Sequence, residues 1–209
     1  MRPLLFLLLS LMFTSCATAK LAKSKSAQTA AAYQAELNGK YLNPDKTILS
    51  EEDLATLKEK GGLPFFPVNE SYKVTADFKR YSQPEIIEFK TSTTRLVDYA
   101  AFGLATFELN GATHSLTLYR STAANLPPEY RNSLFLPMRD QTSGEETYGG
   151  GRYMDIEIPE GDKIVIDFNK TYHPYCAYTL GYSCPVPPAE NFLETRVEAG
   201  IKMVDLGGH

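Results

Sequence analysis

The chain has 209 residues, with 21 basic and 25 acidic side chains and a net charge of −4. One domain is expected at that length, and the acidic balance excludes a nucleic-acid-binding surface as the main activity. The charge is uneven: Arg2, Lys20, Lys23 and Lys25 are the bases before position 27, which leaves 17 bases against 25 acids, near −8, for the rest.

At the start, Arg2 precedes LLFLLLSLMF (4–13), an apolar run too short to span a bilayer as a mature helix. Phe13-Thr14-Ser15-Cys16 follows, then Ala17. This resembles a bacterial lipoprotein signal, although Phe13 stands where Leu is usual. The resemblance implies cleavage before Cys16 and acylation of its thiol and new amine. Several acyl chains make a stable anchor, since each buried methylene contributes about 0.8 kcal/mol. Residues 17–31, small, polar and weakly basic, read as a flexible tether. Lys20, Lys23 and Lys25 there lie near anionic headgroups or in a solvated tail. The expected organisation is therefore a signal peptide over 1–15, a tether over 16–31 and a single β-rich domain over 32–209. No acidic run of the kind carried by some surface-exposed lipoproteins follows Cys16, which favours a domain facing the periplasm. The alternative is an ordinary cleaved signal with an incidental Cys16.

TAAAYQAELNGKYLN (29–43) forms a helix up to Asn38-Gly39. Ser50 caps a second helix, EEDLATLKEK (51–60), with acids in its first turn, lysines in its last and Gly61 as the stop. LPFFPV (63–68) drapes over the core without regular structure. From Tyr72 the period becomes two. YKVTADFKRY (72–81) puts Tyr72, Val74, Ala76 and Phe78 on one face, and EIIEFKT (85–91) and RLVDYAAFGLATFEL (95–109) follow. Asn110-Gly111 is a two-residue hairpin signal that pairs Leu109 with Ala112, Phe107 with His114, Ala105 with Leu116 and Gly103 with Leu118. Pro159-Glu160-Gly161 suits a second hairpin, pairing Ile156 with Ile164, Met154 with Ile166, Glu157 with Lys163 and Tyr153 with Asp167. The expected fold is mainly β: an antiparallel β-sandwich or barrel-like domain with two short N-terminal helices. Segments 138–151 and 169–193 read as long irregular loops, which are often functional.

RDQTSGEETYGGGRYMDIEIPEGDKIVIDFNKTYHPYCAYTLGYSCPVPPAENFLETRVEAGIK resembles the family called domain of unknown function 1684. The pattern is an RD-T-G-ETYG-GRY stretch, a DFN stretch, C-Y, CP-PP-EN and a closing AG-K. LPFFPVNESYKVTADF (63–78) resembles an upstream element of that family, so the likeness spans roughly residues 33 to 203. It implies one fold unit and a set of marked positions, but no reaction. Where relatives read N-P-x-C, this chain reads His173-Pro174-Tyr175-Cys176, so a metal ligand at 173 is not expected.

The remaining cysteines, Cys176 and Cys184, are a disulfide candidate in an oxidising compartment. A catalytic thiol beside Arg139, Arg152, Arg196 or His114 is an alternative, as are two free buried thiols. Zinc would have to recruit Glu190 or the distant His114 to join His173 and the cysteines, so neither metal nor cofactor is expected. Tyr148-Gly149-Gly150-Gly151-Arg152 lacks the P-loop Lys-Ser/Thr; it reads as a flexible strand entry, with an anion site as the alternative. Glu190 with Asn191 is either an acid–base pair or a tie for its own loop. His114 reads as a core residue. No familiar catalytic fingerprint is present.

These observations converge on an envelope lipoprotein that meets an envelope protein or small ligand through loops 138–151 and 169–193. The expected contact residues are Arg139, Asp140, Tyr148, Arg152, Tyr178, Glu190 and Asn191. Its other partner is the membrane, through lipidated Cys16. A hydrolase or transferase built on Cys176, Cys184 or Glu190 with Arg152 is one alternative, and a purely structural module is another.

Overall fold

The computed structural model describes residues 28–207. Cys16, most of the tether and His209 lie outside them.

Helix α1 spans Ala30–Leu42, with the Thr29 hydroxyl accepting the Ala32 N–H. It runs past the expected stop at Asn38-Gly39. The Asn38 carboxamide accepts the Leu63 N–H at 2.8 Å, and buried Tyr41 meets the Tyr178 ring edge-on at 5.0 Å. Those tertiary contacts outweigh the roughly 1 kcal/mol that a helical glycine costs. Helix α2, Glu51–Glu59, begins as expected, with Ser50 Oγ accepting the Asp53 N–H at 3.0 Å. It ends at Gly61 (φ +84°), where the Gly61 and Gly62 N–H groups return to the Lys58 and Leu57 carbonyls.

Eight strands follow: β1 Lys73–Arg80, β2 Ile86–Lys90, β3 Leu96–Leu109, β4 Ala112–Ser121, β5 Ser133–Asp140, β6 Arg152–Glu157, β7 Lys163–Asp167 and β8 Phe192–Leu193. The antiparallel order is β6-β5-β4-β3-β1-β7, with β2 also on β3 and β8 parallel to β5. The sheet curls into a half-barrel, the barrel-like form of the expected fold class. The β3–β4 hairpin has the expected register. Asn110 and Gly111 take φ of +52° and +80°, as a type I′ turn requires. A bulge follows Ala101, and a Cβ on Gly103 would meet the Phe78 ring at 2.6 Å.

The second expected hairpin is not formed. β6 pairs with β5, setting Met154 against Leu136 and Ile156 against Leu134. β7 pairs with β1 on the opposite edge, setting Ile164 against Ala76 and Ile166 against Val74. The expected inward face is right: Met154, Ile156, Ile164 and Ile166 enter one core. The expected partners are wrong, because β6 and β7 lie at opposite ends of the sheet order and residues 158–162 cross from one edge to the other. Ile158 N–H bonds Asn132 O at 3.2 Å, and Phe78 N–H bonds Asp162 O at 2.7 Å. Glu157–Lys163 and Tyr153–Asp167 are therefore not cross-strand pairs; Lys163 reaches exposed Asp77 instead.

Strand β5 is a second correction, since Met138, Arg139 and Asp140 belong to it and not to an irregular loop. It lacks a clean alternation because both faces are covered: Leu134, Leu136 and Met138 are fully buried inside the curl, and Pro137 is buried outside it. A separate apolar cluster joins both helices to the C-terminal segment through Tyr41, Leu54, Leu57, Tyr178 and Ile201.

Candidate functional site

The segment 169–193 is stapled and pinned. Cys176 and Cys184 form a disulfide with Cα atoms 6.3 Å apart, so neither sulfur is a free thiolate. The clipped loop grips the turn between β2 and β3. Ser92 N–H bonds Cys184 O at 2.9 Å, Cys184 N–H bonds Ser92 Oγ at 3.0 Å, and Arg95 reaches Ser183 Oγ and O at 3.0 and 2.7 Å.

Several of the expected contact residues lie in the interior. Arg152 is fully buried in an ion pair with Asp140 at 3.0 Å. Nη2, which makes that pair, also donates to Val197 O (3.0 Å), and Nη1 donates to Ala199 O (2.5 Å) and Thr171 Oγ1 (3.4 Å), while Asp140 Oδ2 accepts the Val197 N–H at 2.7 Å. Burial pulls the guanidinium below its ordinary pKa, and the Asp140 charge and hydrogen bond oppose that. Asn191 is equally buried, with its amide bonded to Thr117 O, Thr117 N–H and Pro137 O. Arg152, Asp140 and Asn191 are buried and spend these hydrogen bonds inside the fold, with Arg152 Nε buried and unbonded, so they offer nothing to a partner at the surface. The glycine run is packed too: Gly151 N–H bonds Tyr148 O at 2.9 Å, and a Cβ there would meet Met138 O at 2.6 Å. Arg139 is half-buried on β5. Glu190 is exposed and accepts the Tyr119 hydroxyl at 3.0 Å, and Arg196 clamps Glu145, Glu146 and Glu198 on the surface.

Tyr148 and Tyr178 meet at His173. Tyr148 N–H donates to His173 Nε2 at 3.2 Å, so the proton sits on Nδ1 and is directed at the Tyr178 hydroxyl, also 3.2 Å away. Burial first, and the nearby Arg152 charge second, pull the imidazole down to about 3. The unfolded chain takes up this proton near 6.5, so between pH 6.5 and 3 the unfolded state binds more protons. The stability that the neutral imidazole contributes is complete above pH 6.5 and is lost as pH falls through that window. Wild type should therefore lose about 1.4 kcal/mol more per pH unit than His173→Gln between pH 6 and 4. Urea midpoints at each pH measure this, and parallel acid limbs would refute the assignment.

The open space lies elsewhere. A cleft of about 530 Å³ runs between α1, β6 and the stapled loop, within the usual size of ligand sites. Tyr33 and Leu37 come from α1, Tyr153 and Asp155 from the outward face of β6, and Tyr172, Tyr182 and Cys184 from the loop. The Tyr172 hydroxyl donates to Asp155 Oδ2 at 2.7 Å, and the Tyr153 hydroxyl donates to Pro185 O. Tyr153 and Tyr172 also exchange backbone hydrogen bonds at 2.8 and 3.0 Å, which covers the free edge of β6. Rings continue from Tyr172 through Tyr153 and Phe135 to Tyr99, at spacings of 5.9, 4.8 and 5.2 Å. Burial, with the Asp155 charge next, pushes the Tyr33, Tyr99 and Tyr172 phenols up, so all stay neutral. Strand parity marks Asp155 as facing away from the core. The rest of this wall depends on α1 and the loop arriving from distant sequence.

Residues 59–202 match the family model described as "Protein of unknown function (DUF1684)". No curated protein matches the chain. Among solved structures it is similar to the solution NMR structure of the uncharacterized protein from gene locus rrnAC0354 of Haloarcula marismortui. The two are 34% identical, the match covers 82% of this chain and 91% of that one, and the TM-score is 0.63. With a family match over more than half of its length, the chain belongs to the DUF1684 family.

Proposed function

We propose that the chain is an envelope lipoprotein whose domain binds a small ligand in the tyrosine-walled cleft. The observation that carries the binding reading is the 530 Å³ cleft itself, preformed between secondary-structure elements and a disulfide-pinned loop. Anchoring through Cys16 on the periplasmic side rests on the signal-like N-terminus, and the disulfide suits that oxidising compartment. Of the two expected loops, 169–193 lines the cleft; 138–151 supports the fold behind it.

The test is a thermal-shift screen of a metabolite library against the full chain in detergent, with Leu37→Trp as a variant that fills the cleft. A ligand at 100 times its Kd contributes about 2.7 kcal/mol, or roughly 5–10 °C for a chain of this size. Hits should shift wild type and leave Leu37→Trp unmoved. A library without hits, or with hits blind to Leu37→Trp, favours a structural module. The same cells report the anchor: wild type should fractionate with membranes and Cys16→Ser should not. A Cys16→Ser chain that remains with the membrane removes that part of the reading.

A further inference from the structure

The loop closed by Cys176 and Cys184 ends in an apolar tip. Leu180 is 83% exposed, the most of any large hydrophobic side chain among the described residues, and Tyr182 beside it is 40% exposed. Gly181 takes φ +88°, and a Cβ there would meet nothing within 4 Å, so the tip projects clear of the domain. Its root is fixed. Ala177 and Tyr178 are buried, the Tyr182 ring meets Tyr175 at 5.0 Å, and Tyr182 O accepts from Ser92 Oγ at 3.3 Å. Exposed Val186 and Leu96 add apolar surface next to the turn that the loop grips. We propose that the 179–183 tip inserts into the surface of a lipid bilayer, the one that carries the Cys16 anchor, and so sets how the domain stands on it. This rests on the lipid-anchor reading above.

Chain length and charge select that occupant. Eleven residues, 17–27, separate Cys16 from Gln28, and even fully extended they reach only about 40 Å. Gln28 borders the same cleft as Tyr182, Ser183 and Cys184, so the chain leaves the domain on the side that carries the tip. The domain is acidic as a whole, and anionic headgroups repel it, yet bases lie beside the tip. Arg95 reaches Ser183 Oγ and O at 3.0 and 2.7 Å. Lys40 Nζ bonds the hydroxyl of Tyr175 at 3.0 Å, and exposed Lys90 accepts the Val186 N–H on its carbonyl at 2.8 Å. Acids of the same elements stand one step back along the chain: Glu36 is one turn before Lys40, and the Glu88–Asp98 pair is two residues behind Lys90 and Leu96. Bases held near a membrane are drawn to anionic lipid, leucine enters the apolar region, and tyrosine suits the headgroup boundary. The disulfide orders the tip before contact, so little freedom is lost on insertion.

The chain has no tryptophan, so Leu180→Trp carries a sole indole at the tip. Ala112→Trp is the control. Ala112 is exposed at the Asn110-Gly111 turn, the far end of β3 from the turn that the loop grips, roughly 40 Å away along the strand. It carries the same indole, so the affinity of that ring for a membrane cannot account for a difference between the two. Each full chain, with its own anchor, is placed in phosphatidylethanolamine–phosphatidylglycerol vesicles with plain or brominated acyl chains, since bromine quenches an indole only on near contact. Emission from Leu180→Trp should fall severalfold in the brominated vesicles and that from Ala112→Trp should hardly change, with both melting temperatures near that of wild type. Flotation of the same vesicles reports the anchor separately. Chains that float with Leu180→Trp unquenched, or with both variants quenched alike, overturn the insertion and leave the anchor standing; an unquenched tip would then point to a protein partner. Chains that do not float fail at the anchor, and the insertion falls with it.

Discussion

Arg152→Ala should lower the stability of the fold by about 3–5 kcal/mol, the usual cost of removing one partner from a buried ion pair. For a chain of this length that is a fall of roughly 6–20 °C in melting temperature. The reason is the reach of one side chain. Arg152 lies on β6, its carboxylate partner Asp140 ends β5, and its remaining hydrogen bonds hold Val197, Ala199 and Thr171. Truncation leaves the Asp140 carboxylate buried with the Val197 and Thr142 donors and no cation, and it empties the space of the largest fully buried side chain. Arg152→Met with Asp140→Asn removes both charges and should recover part of the loss, because the uncompensated charge is the expensive element. Thermal melts by circular dichroism of wild type, both single variants and the double variant complete the cycle. An Arg152→Ala melt within about 2 °C of wild type would show that the network is a bystander.

What the sequence made legible follows from which forces are local. Asn110-Gly111 specifies its turn because both central residues need positive φ, and the register of β3 and β4 follows from that turn. Ser50 and Gly61 bound α2 for equally local reasons. The alternation of Met154, Ile156, Ile164 and Ile166 tells which face is inside, and that face is right. Alternation carries no information on which strand lies alongside, so a hairpin and a crossing between two curled edges look the same over residues 158–162. Strand β5 is obscured by burial on both faces and by Pro137, which demotes any strand reading. The marked positions of the family resemblance, Asp140, Arg152 and Asn191, are legible as special. Their type alone does not say that they bind the protein to itself. The cleft is the least legible feature, because α1, β6 and the loop contribute to it from residues 33 to 185. Only the outward parity of Asp155 hinted at it.

The second large effect is expected at Asn191, where the smallest chemical change should do the most damage. Pro137 has no N–H, and β4 and β5 share a single registered pair, Tyr119 with Phe135. Into that gap Asn191 inserts its carboxamide as a substitute peptide group. Nδ2 donates to Thr117 O at 2.9 Å and Pro137 O at 2.7 Å, and Oδ1 accepts the Thr117 N–H at 2.9 Å. Asn191→Ala strands three backbone groups and should cost roughly 3 kcal/mol or more. Asn191→Asp preserves the shape yet should be worse at neutral pH. Its carboxylate still accepts from Thr117, but its other oxygen would face two carbonyl oxygens with no hydrogen between them. Burial and those carbonyls raise the carboxyl pKa in the folded state above the ordinary 3.9 or so. Between the two values the folded state binds more protons than the unfolded state. The variant is therefore at its best below pH ~4, where a protonated carboxyl donates to one carbonyl, and it loses about 1.4 kcal/mol per pH unit as pH rises through the window. Above the folded pKa the loss is constant. Urea unfolding of wild type, Asn191→Ala and Asn191→Asp from pH 4 to 8 isolates this, since titrations common to all three cancel in the differences. A deficit for Asn191→Asp that is small and equal at every pH would mean that the carboxamide is not bridging the strands.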